Sequence, residues 1–159
     1  MNRSGNKIER YGISFDSLLE LDIYEEFIKQ GVTLERGTPI IVEDKFDCNI
    51  ICYSNDNKNF EIKPESKNIR KIEYTPDFIC NYENKKAYIE LKGFANETFR
   101  YRWKLFKKYL QANESDSMIF LIKRRHNGRV KPNDNLLRIK ETEQIVSNII
   151  EIIKSCKEK

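Results

Sequence analysis

The sequence predicts an α/β fold in which a mixed central sheet is flanked by helices on both faces. Three observations predict it. The elements read in the order helix, several strands, helix, strand, helix. The runs around Phe78 and Ile89 are apolar without alternation, as in strands buried on both faces. The 159 residues, 39% of them hydrophobic, suit one domain with a proper core.

The first dozen residues, "MNRSGNKIERYG", are polar and read as a flexible segment, 1–12, ahead of a single domain, 13–159. "SFDSLLELDIYEEFIKQG" predicts a helix, because Phe15, Leu19, Ile23 and Phe27 recur every four residues and Gly31 stops it. "TPIIVED", "FDCNIICYS" and "NFEIKP" are short β-rich runs between Asn, Asp and Lys turns. A strand from about Arg70 to Tyr82 follows, then the turn "YENKK" and a returning strand from Ala87 to Lys92. Asn96 caps a second helix, about Glu97 to Gln111, whose buried seam is Phe99, Trp103, Phe106 and Leu110. "SMIFLIK" is a compact apolar strand, and the basic loop "RRHNGRVKPNDN" comes after it. The last helix, about Leu136 to Lys154, carries Ile145, Ile149 and Ile152 or Ile153 on one face, which completes the core or forms a dimer contact.

No run is long and apolar enough to span a bilayer, and the N-terminus lacks the apolar core of a secretory signal. A cytoplasmic location with reduced thiols is the expectation, and no membrane is implied. Cys48, Cys52, Cys80 and Cys156 then read as small buried hydrophobes. The Cys48/Cys52 spacing could form half of a zinc site. His126 is the sole histidine and no second close cysteine pair exists, which argues against a structural zinc. Charge is uneven: Gly93 to Lys140 holds twelve Lys or Arg against four Asp or Glu, while the rest is net acidic. A polyanionic partner met by one basic face would explain the asymmetry; an ordinary solvated surface would too.

The stretch "YTPDFICNYENKKAYIELKG" sets Asp77, Glu90 and Lys92 inside apolar runs, where a charge needs compensation. Alternation points Glu90 and Lys92 the same way. Asp77 joins them if antiparallel pairing opposes it to Glu90 or to Lys92, and a one-residue slip would separate them. Two carboxylates and a lysine on one face suit a hard divalent cation, with the Leu91 carbonyl as a further oxygen. Such a site serves phosphodiester hydrolysis, with Lys92 placed to steady developing charge. A plain salt bridge between Lys92 and either acid would use the same residues.

"TPDF" followed by "IELKG" resembles the PD-(D/E)xK nuclease signature, whose superfamily includes restriction endonucleases, Holliday junction resolvases and the transposon endonuclease TnsA. The flanks "GISFDSLLE" and "TFRYRWKLFKKY" are similar to small phage-encoded, resolvase-like endonucleases, over roughly Tyr11 to Lys123. The resemblance implies a restriction-endonuclease-like core and a Mg²⁺ cofactor, with Mn²⁺ as a substitute. It implies Asp77 and Glu90 as metal ligands, Lys92 as the catalytic lysine, and Glu20 as a helix-one acid reaching the metal directly or through water. From the residues alone, Glu20 is the Glu of a Ser17-x-x-Glu capping box. Lys104 falls where related nucleases place a polar residue facing the scissile phosphate.

Arg100, Lys104, Lys107 and Lys108 form a basic helical stripe, either an ordinary solvated face or a contact for DNA phosphates. Arg124 and Arg125 would extend it, and His126 beside them reads as a surface contact. The leading expectation is a Mg²⁺-dependent endodeoxyribonuclease of phage or prophage type in a host cytoplasm, acting by analogy on branched or junction DNA. One rival is a non-catalytic DNA-binding module of the same fold. Another is a nuclease subunit active only with a recombination or transposition partner, and a homodimer would suit symmetric cutting.

Overall fold

The computed structural model describes residues 7–55, 61–93, 96–123 and 134–156, with side chains for all of these except 134–137. Arg124, Arg125, His126 and Arg129 lie outside the described residues.

Among the described residues a hairpin comes first, and it takes in residues 8–12 of the segment expected to be flexible. Strands β1 (Ile8–Arg10) and β2 (Ile13–Phe15) pair around Tyr11 and Gly12, both with positive φ, 57° and 72°. That geometry is the tight two-residue turn whose twist matches the flanking strands. Phe15 therefore ends a strand rather than starting a helix. Helix α1 (Leu18–Lys29) begins after Ser17, whose Oγ accepts the Glu20 N–H at 3.2 Å.

The central sheet has four strands in the order β12 (Met118–Lys123), β11 (Lys85–Lys92), β10 (Phe78–Tyr82) and β3 (Leu34–Arg36). It is mixed: β10 pairs antiparallel with both β3 and β11, while β11 and β12 run parallel. The parallel step needs a crossover, which helix α2 (Glu97–Asn113) supplies. The short edge strand β3 carries no periodic signal of its own in the sequence.

Helices cover both faces of this sheet. Leu21, Ile23 and Phe27 of α1 pack with Val146, Ile149, Ile150 and Ile153 of α3 (Asp134–Ser155) against Phe78, Cys80, Ala87, Ile89 and Leu91. The α3 seam thus completes the core, with Ile153 buried and Ile152 exposed. Trp103, Phe106 and Leu110 of α2 pack on the opposite face against Ile79, Tyr88 and Tyr74. The Tyr74 and Phe106 rings stack at 4.5 Å, and Tyr88 meets Phe106 edge-on at 5.2 Å.

The expected strand from Arg70 to Tyr82 breaks at Thr75-Pro76-Asp77, giving β9 (Ile72–Tyr74) and then β10. Pro76 has no N–H to donate, so a ladder cannot run through it. Upstream of the break, β4 (Ile40–Glu43), β5 (Phe46–Asp47) and β6 (Tyr53–Asn55) pair in nested order with β9, β8 (Asn68–Ile69) and β7 (Ile62–Pro64). The three ladders form one long antiparallel arm. Among the four cysteines only Cys80 is buried, against expectation: Cys48 is half-buried, and Cys52 and Cys156 are exposed. Two of these sit on the arm, which has no core to enter.

Candidate functional site

The β10–β11 register pairs Phe78 with Ile89 and closes on a two-residue loop, Glu83 and Asn84, between Tyr82 and Lys85. One step further along this register, Asp77 stands opposite Glu90. The alternation that sends Phe78 and Ile89 to the α1/α3 face sends Asp77, Glu90 and Lys92 to the α2 face. The three charged groups do meet. Lys92 Nζ lies 2.6 Å from Glu90 Oε1, and the Leu91 N–H donates to Asp77 Oδ2 at 2.6 Å.

One lysine does not neutralise two acids. Burial first, then the Glu90 carboxylate, push the Asp77 carboxyl up to about 7; the Leu91 N–H and Lys92 oppose this, and Glu20 adds a smaller upward push. Glu90 is 3% exposed, yet its Oε2 has no hydrogen-bond partner among the described residues. The hydroxyl of Tyr74 is buried as well and faces the Glu90 carboxylate. Burial, then the charge of the Glu90 carboxylate and a hydrogen bond to it, push that phenol upward, which places the two groups side by side. Buried carboxylate oxygens so poorly satisfied are rare and costly, so Glu90 Oε2 marks a place built for something else.

Both groups line a cavity of about 360 Å³, with Glu73, Thr75, Lys92, Asn96, Thr98, Phe99 and Arg102 as its other walls. The start of α2 forms one wall: Asn96 caps the helix by accepting the Phe99 N–H at 2.8 Å. Lys92 Nζ sits 5.0 Å from the Phe99 ring centre, which holds the ammonium at the mouth. The cavity therefore presents surplus carboxylate at its base and cations on its flank.

Glu20 takes a different position. Its carboxylate accepts the Asp16 N–H at 3.0 Å and pairs with Arg36 at 2.9 Å, while Ser17 Oγ donates to it at 3.4 Å. Arg36 in turn lies 5.1 Å over the Phe78 ring. Glu20 thus closes the helix start and is neutralised there; its charge reaches Asp77, and neither Glu20 nor Asp77 is itself a wall of the cavity. Among the described residues, no group of three or more His, Cys, Asp or Glu side chains is set to hold a metal. A cation here would rest on two carboxylates, Asp77 and Glu90. The unpartnered Glu90 Oε2 and the raised Asp77 fit that demand, since Mg²⁺ fills its remaining positions with water or phosphate oxygens.

The basic stripe also shifts. Arg100, Lys104, Lys107 and Lys108 are exposed on α2 outside the cavity, and Lys107 sits 5.7 Å over the Trp103 ring. Arg102 is the α2 cation that lines the cavity. It shares the stripe's charge but lies four residues after Thr98, on the same helical face as Thr98 and Phe99. That spacing was the available signal. Tyr74, three residues before Asp77, gave none, because a tyrosine in a strand normally reads as core.

A family described as a protein of unknown function, DUF1064, matches residues 2–122. No curated protein matches the chain. No helix among the described residues is long and apolar enough to cross a membrane.

Proposed function

We propose that this chain, which belongs to the DUF1064 family, is a divalent-cation-dependent endodeoxyribonuclease with a restriction-endonuclease-like core of the PD-(D/E)xK type. One observation carries the reading. Asp77 and Glu90 face each other across a hairpin with more negative charge than Lys92 neutralises, and Glu90 and Lys92 line an open polar cavity. Asp77 and Glu90 would hold Mg²⁺ or Mn²⁺, which when bound supplies positive charge against a phosphodiester and makes water easier to deprotonate.

The protein's own groups divide the remaining work. Lys92, freed from Glu90 Oε1 once that oxygen is engaged, donates to the attacking water or to the phosphate oxygen that gains charge. Arg102 and the Thr98 hydroxyl, on the same wall, bind a phosphate of the strand. The exposed Arg100, Lys104, Lys107 and Lys108 extend the basic surface along α2 for flanking phosphates. Branched or junction DNA is the preferred substrate by analogy with the resolvase-like endonucleases.

The Lys92–Glu90 ion pair at 2.6 Å favours a second reading, a DNA-binding module in which that pair is only structural. Incubation with linear and branched DNA, with Mg²⁺ or with chelator, separates the two. The nuclease reading expects cleavage that needs the cation and falls about 100-fold or more in Lys92→Ala and Asp77→Ala. Tight binding without cutting, in both Mg²⁺ and Mn²⁺, supports the module instead.

A further inference from the structure

Partway along the arm, the pairing slips by two residues. The Cys48 N–H donates to the Lys67 carbonyl at 2.6 Å, and the Glu65 N–H donates to the Cys52 carbonyl at 2.9 Å. Three residues, Asn49, Ile50 and Ile51, are therefore looped out opposite Ser66 alone. Lys67 and Glu65 are two apart on one strand, so they share a face and their Cα atoms are about 7 Å apart. Cys48 and Cys52, each opposite one of them, take that same face at that same spacing. A loop has been inserted, and the effect is to bring two thiols together on the outside of the protein.

The surroundings of this pair fit a metal better than a disulfide. A Cα separation of about 7 Å lies at the outer limit for a disulfide. Two thiolates on one tetrahedral zinc stand about 3.8 Å apart, given Zn–S bonds of about 2.3 Å, within reach of side chains so placed.

Two ligands are half a site. No group of three or more His, Cys, Asp or Glu side chains among the described residues is arranged to complete it. Cys80 is buried in the core and Cys156 follows α3.

We infer that Cys48 and Cys52 form one half of a structural Zn²⁺ site, completed by the same pair from a second copy of this chain. The thiol-bearing face is suited to self-pairing. Phe46 and Ile69, paired two residues along the arm, lie on the same face and are 52% and 39% exposed. Ile50 and Ile51, on the inserted loop, are 72% and 69% exposed. Burial of such groups is what a dimer contact supplies. Between residues 44 and 71 the chain holds six Lys or Arg against five Asp or Glu, so two arms do not repel and DNA is not favoured over protein. On binding, all four thiols lose their protons to water and no redox step is involved. The inference uses no residue of the cavity and stands or falls apart from the nuclease reading.

Full-length protein, purified with Zn²⁺ and a phosphine reductant, tests it by metal analysis and light scattering. The expected result is about half an equivalent of zinc per chain and twice the 19.0 kDa monomer mass. A chelator, Cys48→Ser or Cys52→Ser should each abolish both, while Cys156→Ser keeps both. Substitution with Co²⁺ should give a tetrathiolate spectrum. Absence of bound zinc, one zinc per monomer, or a dimer that survives Cys48→Ser and Cys52→Ser would overturn the inference. Both serine variants alter exposed or half-exposed side chains, and an unchanged thermal midpoint in the metal-free state shows that the fold is intact.

Discussion

At the residue scale, Asp77 is where the fold and the chemistry conflict. Its carboxyl, pushed up to about 7 by burial and Glu90, binds a proton more tightly folded than unfolded. Its contribution is therefore most favourable below the unfolded value near 4 and is lost as pH rises through about 7. Asp77→Asn keeps an acceptor for the Leu91 N–H and removes the charge. It should stabilise the protein at pH 8 by on the order of 2–4 kcal/mol, and by much less at pH 4, in urea titrations at both values. Cation binding competes with the same proton, so cleavage at limiting Mg²⁺ should rise with pH through about 7. The groups facing this carboxyl (Glu90, Lys92, Glu20 and the Leu91 N–H) set that position together. Tyr74 makes a milder case: Tyr74→Phe removes a buried hydroxyl that faces only the Glu90 carboxylate and should change stability by less than about 1 kcal/mol on denaturant melting.

At the element scale, the site depends on where β10 begins. The Gly37 N–H donates to the Asp77 carbonyl at 3.2 Å, and a Cβ on Gly37 would collide with the Pro76 backbone carbonyl. Gly37→Ala should therefore destabilise the protein by about 2 kcal/mol or more and displace Asp77, visible as loss of both thermal midpoint and cleavage. Arg36, on the neighbouring strand β3, neutralises the buried Glu20. Removing it in Arg36→Ala leaves that charge alone and should cost about 2–3 kcal/mol, since Arg36 is a third exposed and the full penalty for a buried pair is larger. Adding Glu20→Gln should recover most of the loss in a double-variant cycle.

At the scale of the whole molecule, the parts legible in the sequence are those with periodicity or a local cap. The three helices, the apolar strands β10, β11 and β12, and the Asn96 cap all carry such signals. Alternation alone also put Glu90 and Lys92 on one face. Whether Asp77 joined them depended on register, which the Glu83–Asn84 turn fixes and the spacing left open. Strand β3 has three residues and takes its position from pairing with β10, so it has no pattern to find. The β1–β2 hairpin hides because its strands have only three residues each, too few for an alternation to show. The arm reads as scattered runs, since only the nested pairing of distant residues makes it one piece. Arg102 was obscured by its more numerous basic neighbours, whose charge says nothing of direction.

The central claim is that the acids at 77 and 90 jointly hold one divalent cation. Mn²⁺ titration at pH 8, followed by electron paramagnetic resonance on wild type, Asp77→Asn and Glu90→Gln, tests it most directly. The account predicts bound Mn²⁺ in wild type, with affinity reduced at least about tenfold in either folded variant. Equal Mn²⁺ binding by all three proteins, or none by wild type at millimolar cation, would contradict it.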